Sequence, residues 1–133
     1  RASGMPRARS GSPPAADDVA AREAFIAWLE AEGVDTSALR LHDFPWGRGV
    51  AAARDIRPGE RVLSVPRRLI VTAETARSSP VGERLLRGWP EAPAEALLCA
   101  YLAAERRAGE RSPWYPWFRL LPRTYDLPVT YSE

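Results

Sequence analysis

Phe25, Ile26, Trp28 and Leu29 recur at helical spacing, with Arg22, Glu23, Glu30 and Glu32 off that face. The pattern predicts an amphipathic helix. Asp17 or Asp18 is placed to cap its start, and Gly33 to stop it. Residues 39–44 (LRLHDF) then alternate apolar and polar, which reads as a strand with His42 on the polar side. After the pair Gly47 and Gly49, residues 50–56 read as a strand carrying the small side chains of Ala51, Ala52 and Ala53. Residues 61–65 read as another. Between them lies Arg57-Pro58-Gly59-Glu60, with proline presetting φ and glycine tolerating the left-handed region, so a hairpin is expected across Pro58-Gly59. Pro66 suits a strand end or an edge, and residues 67–71 follow as a short strand or an extended arm. Thr72 caps a short helix to about residue 78, and residues 81–87 are helical ahead of the breakers Gly88 and Pro90. Pro93 opens the clearest helix. Leu97, Leu98, Tyr101 and Leu102 form its apolar face, Glu95 and the pair Arg106, Arg107 suit its dipole, and Gly109 ends it. Residues 112–128 are dense in aromatics and broken by Pro113, Pro116, Pro122 and Pro128. Trp114, Trp117 and Phe118 there require burial, against the preceding helix or against a partner. The elements amount to a small mixed α+β domain.

Composition narrows the partners. The 133 residues fit one domain, and the 45% hydrophobic and 27% charged residues are ordinary globular values. All 19 basic residues are Arg; there is no Lys, Asn or Gln. They are spread among 17 acids for a net charge of +2, so no nucleic-acid surface is expected. Residues 1–16 are rich in Arg, Pro, Ser and Gly and read as a disordered tail, without the apolar centre of a secretory signal. No apolar run reaches the length of a membrane span. Cys99, the one cysteine, lies in an apolar helical run and reads as a core residue in a reducing compartment. With one Cys and one His, no zinc constellation is possible.

The chemistry that the residues offer is sparse. Gly-Arg-Gly at residues 47–49 lacks the G-x-G-x-x-G spacing of a phosphate loop. His42 has no partner of nucleophilic type nearby. Glycines at i and i+2 let the backbone take φ > 0 or let a ligand approach the main chain. The segment is therefore either a glycine-lipped hairpin alone or one lip of a binding site.

The order of motifs decides between those readings. An amphipathic helix with F-x-x-W-L leads to a strand, then to G-R-G-V, A-x-x-D-I-x-P-G-E, V-L-S-V-P and L-I-V-T, and finally to an apolar helix and S-P-W-Y-P-W-F-R-L-L-P. That succession resembles the N-terminal part of SET-domain protein methyltransferases, in the branch that includes the Rubisco large-subunit lysine methyltransferase. Its last segment is most similar to the animal SET-domain protein 4 group. The resemblance implies that residues 17–133 are the N-terminal portion of a SET domain, with a helical insert starting at about residue 72. It implies transfer of a methyl group from S-adenosylmethionine to a side-chain nitrogen of a protein substrate, usually lysine, without a metal. Carried onto this chain, the cofactor loop is Trp46, Gly47, Arg48 and Gly49. Main-chain groups of Trp46 and Arg48 would meet the cofactor, and the Arg48 guanidinium would lie over the adenine or point to solvent.

The family's catalytic half carries an Asn-His pair and a late Tyr, and neither maps onto this chain. His42 follows Leu41, there is no Asn, and Tyr125 and Tyr131 fall too early. The expectation is thus an N-terminal fragment holding half of a cofactor site, inactive by itself, from a monomeric enzyme of the nucleus or cytosol. Two alternatives stand beside it: a protein-histidine methyltransferase relative, and a truncated, non-catalytic interaction module using Trp114, Trp117 and Phe118.

Overall fold

The computed structural model describes residues 16–45 and 47–122. They fall into two compact units that meet in sequence between Pro66 and Arg67. The first holds helix α1 (Ala16–Ala31) and the strands β1 (Leu39–Phe44) and β2 (Gly47–Ala52). α1 starts at Ala16, ahead of both expected capping acids, so Asp17 and Asp18 lie inside its first turn. There they face the positive end of the helix dipole instead of capping it. Phe25, Ile26, Trp28 and Leu29 are half-buried, and the Phe25 and Trp28 rings sit 5.8 Å apart. Gly33 takes φ +79°, which lets Val34 N–H turn back to the Leu29 carbonyl at 2.9 Å. Ala21, Val34 and Ala38 are the buried apolar residues of this unit.

β1 and β2 form an antiparallel hairpin whose register pairs Leu39 with Ala52, Leu41 with Val50, Asp43 with Arg48 and Phe44 with Gly47. The hairpin therefore turns between Phe44 and Gly47. The expected hairpin across Pro58-Gly59 does not form, and residues 53–66 contain no strand. A strand needs a neighbour to take its backbone hydrogen bonds, and β2 gives its inner edge to β1. The Pro58-Gly59 turn itself is present, with Gly59 at φ +80°. Glu60 closes it, accepting from Arg57 N–H at 3.0 Å and pairing with Arg54 at 2.5 Å. Leu63 and Val65, expected on a strand, stand exposed.

The second unit is helical. A single 3₁₀ turn, Arg67–Leu69, stands where a strand or arm was expected. Thr72 caps α2 (Ala73–Arg77) by accepting from Thr75 N–H, as its sequence position predicts. Ser79 caps α3 (Pro80–Gly88), accepting from Gly82 N–H with Pro80 in the first turn. α2 and α3 pack against α4 (Ala94–Ala108), which Gly109 ends at φ +59°. Leu97 is fully buried and Tyr101 nearly so. A 3₁₀ turn, Gly109–Arg111, leads to α5 (Tyr115–Leu120).

Two readings of this unit need correction. Cys99 is exposed, not in the core; Leu97 and Tyr101 take the inward face of α4, and residue 99 lies off it. The aromatic segment does not present a free surface either. Trp114 is buried at 7% exposure, and its indole N–H donates to the Tyr101 hydroxyl at 2.8 Å. Trp117 and Phe118 are half-buried, their rings 4.9 Å apart. Of the two outcomes open to these aromatics, packing onto the preceding helix is the one observed. No helix among the described residues is long and apolar enough to cross a membrane.

Candidate functional site

The register sorts the hairpin into two faces, because paired residues share a face and neighbours along a strand alternate. One face carries Arg40, His42 and Phe44 opposite Ala51, Gly49 and Gly47. The β2 half of that face is thus nearly bare. Gly47 has φ +133° with open space where a Cβ would stand, whereas a Cβ on Gly49 would come within 2.9 Å of the Phe44 ring. Phe44 in turn meets His42 edge-on, with ring centroids 4.7 Å apart, and His42 Nδ1 lies 3.0 Å from Arg40 Nη1. His42 is accounted for by packing with its strand neighbours. Trp46, the remaining candidate of the cofactor lip, lies outside the described residues.

The opposite face is charged at the turn end. Arg48 and Asp43, a register pair, both reach α1. Arg48 pairs with Asp18, Asp43 accepts from Arg22 at 2.8 Å, and Arg22 also bonds Asp18, one helical turn away, at 2.6 Å. The four side chains form one chain of alternating charge. Arg22 is raised further above its ordinary value, chiefly by the hydrogen bond to Asp43. The same bond holds the Asp43 carboxyl below the usual range. Arg22 Nε is buried without a hydrogen-bond partner among the described residues, so the charges, and not full hydrogen bonding, fix this side chain.

Gly47, Arg48 and Gly49 are therefore adjacent on one strand but divided between its faces. Gly47 leaves the main chain approachable on one side, while the Phe44 ring lies over Gly49. The Arg48 side chain points the other way, to α1, a placement that neither expected orientation included. Sequence reasoning missed Asp18, Arg22 and Asp43. The i,i+4 spacing of Asp18 and Arg22 was visible, but the Asp43–Arg48 opposition needs the register.

No protein-family model matches the chain. Among curated proteins it is 34% identical over 104 residues to SET domain-containing protein 4 of Homo sapiens, covering 77% of this chain and 23% of that protein. It is 35% identical over 115 residues to the actin-histidine N-methyltransferase of Xenopus tropicalis, covering 82% of this chain and 19% of that one. Among solved structures, the SET domain of LSMT bound to lysine and AdoHcy superposes with a TM-score of 0.75 at 28% identity, over 86% of this chain and 25% of that chain. This chain is a SET-domain homologue. Its α+β elements are those of part of a SET domain, and the Rubisco LSMT structure bound to sinefungin and monomethyllysine matches with a TM-score of 0.74. The SET-type sequence described here spans about a quarter of the length of these relatives.

Proposed function

We propose that this chain contributes the first part of an S-adenosylmethionine-dependent protein N-methyltransferase, with lysine as the methyl acceptor. The observation that carries the reading is the superposition on a SET domain solved with lysine and AdoHcy. In this reading Trp46, Gly47, Arg48 and Gly49 form one wall of the cofactor site. Gly47 suits that task, since open space stands beside it and a ligand can approach the main chain there. When bound, the cofactor supplies an electrophilic methyl on sulfur, and the protein's task is to hold the acceptor nitrogen in line with it. Residues 17–133 would be the N-terminal portion of the SET domain, with the helical insert beginning near residue 72. We take the protein to act on protein substrates in the nucleus or cytosol, as a monomer and without nucleic acid.

A second reading is favoured by a specific similarity. Several vertebrate actin-histidine methyltransferases match over most of this chain, so histidine is the competing acceptor. The interaction-module reading loses Trp114 from its proposed surface, because that residue is buried against α4, while Trp117 and Phe118 are half-buried.

The test has two arms. The full-length protein is incubated with labelled S-adenosylmethionine and protein substrates, and the modified residue is read by mass spectrometry. Methyl-lysine is the expected product; methyl-histidine would move the assignment to the competing acceptor, and no transfer to either would sink the proposal. The 133-residue chain is titrated with the same cofactor. Binding no tighter than about millimolar, roughly −4 kcal/mol, is expected of half a site, and micromolar binding would show that this chain holds a complete one.

A further inference from the structure

The glycine face of β2 is shaped by what holds β2 from behind. Asp43 and Arg48 sit opposite each other one position from the turn. Each is held by a different residue of the same helix: Asp43 by Arg22 and Arg48 by Asp18. Asp18 and Arg22 are also bonded to each other. The first turns of α1 therefore grip both strands at the end where Gly47 lies. The grip is partly shielded: side-chain exposure is 16% for Arg22, 26% for Asp18, 29% for Arg48 and 44% for Asp43. Solvent therefore screens the Asp43 end most, and the planar guanidinium of Arg22, which bonds both carboxylates, holds direction as well as charge. The arrangement also draws the Arg48 side chain away from the face on which Gly47 is open.

We infer that Asp18 and Arg22 are positioning residues for the Gly47–Gly49 lip, so that α1 and the ligand-binding strand act as one thermodynamic unit. Ligand affinity at the lip then depends on a helix that does not touch the ligand. By reciprocity, a ligand that orders the lip also protects the start of α1. The ligand identity rests on the methyltransferase reading; the clamp does not.

The experiment uses the full-length protein and its Asp18→Asn and Asp18→Glu variants. Asp18→Asn removes the charge shared by Arg22 and Arg48 with little change of shape, and Asp18→Glu restores it. Amide hydrogen exchange without ligand reports the clamp. In Asp18→Asn, exchange at residues 47–50 should quicken about tenfold, while that of α4 stays at the wild-type rate, and Asp18→Glu should recover at least half the protection. Equal exchange in wild type and Asp18→Asn overturns the clamp. Titration with S-adenosylhomocysteine reports the coupling. Wild type should bind, Asp18→Asn about tenfold more weakly, with Asp18→Glu between them. Unchanged affinity in Asp18→Asn overturns the coupling. If wild type does not bind but the exchange result holds, the methyltransferase reading fails and the clamp stands. A variant that loosens α4 as well has unfolded globally; Arg48→Gln, which leaves both Arg22 links in place, must then loosen residues 47–50 selectively, or the inference falls.

Discussion

Gly82 is the residue with least room to change. A Cβ there would stand 2.0 Å from the Ala76 carbonyl oxygen and 3.0 Å from that of Arg77, and both atoms belong to backbone that cannot rotate away. Gly82→Ala is expected to destabilise the protein by about 3 kcal/mol or more, the upper part of the overpacking range, read as a fall in the urea midpoint. Gly47→Ala has space but a φ of +133°, so its cost is backbone strain of about 1–3 kcal/mol. The two glycines are alike in sequence; only the coordinates tell crowding from torsion. At the same scale, three carboxylates set an acid limit, among them Asp35, held low by its hydrogen bonds with Ser37. Asp43 is held low by its hydrogen bond to Arg22, and Glu60 by Arg54 and then by the Arg57 N–H. A carboxylate whose folded value lies below its unfolded one contributes stability above the unfolded value, near pH 4, and loses it as pH falls through the folded value. Stability should therefore drop below about pH 4, and Asp43→Asn with Glu60→Gln should flatten that drop in acid titrations followed by circular dichroism.

Between elements, the contact with most at stake is that of α4 with the turn before α5. Trp114 and Tyr101 are each 7% exposed, and one hydrogen bond of 2.8 Å satisfies both polar ends. Tyr101→Phe keeps the ring but leaves the indole N–H buried and unpaired, at a cost of about 1–3 kcal/mol. Leu97→Ala, at a site with no exposure, should cost about 2–5 kcal/mol. Chemical denaturation measures both, and a Tyr101→Phe midpoint equal to wild type would mean that the indole finds another acceptor. The helices α2, α3 and α4 were legible because their signals are local: a capping Thr72, Pro80 and Pro93 at the starts, Gly109 at a stop. The strands were half legible. β1 announced itself by alternation, but its partner did not. Residues 50–56 and 61–65 have strand composition, and composition does not state which edge is free to pair.

For the whole molecule, the residues that link the regular elements of the two units predict where it opens first. Residues 53–66 carry no helix or strand, and Arg54 and Arg61 in that stretch are exposed. Among the described residues, limited trypsin digestion should cut there first, since exposed irregular segments are the preferred sites. A first cut within α2, α3 or α4 would contradict this. The SET assignment was also legible in the sequence, but through the order of short motifs, each of them weak alone. Gly47, Arg48 and Gly49 of the candidate lip lie together on one strand, β2. Their environment was not legible in the sequence, since the residues behind them are 30 positions away in the case of Asp18 and Arg48.

The sequence by itself determined the helices α1 to α4, the Thr72 cap, the stops at Gly33 and Gly109, the first strand, and the family likeness, because each of these rests on residues close together along the chain. The tertiary structure alone decided three things. It chose which segment pairs with β1, because backbone hydrogen bonds need a specific neighbour. It turned Cys99 outward, because the apolar face of α4 can hold only the residues at its own angle. It placed Arg48 on Asp18, behind the glycine face, because register assigns side chains to faces and only register sets Asp43 and Arg48 against one helix.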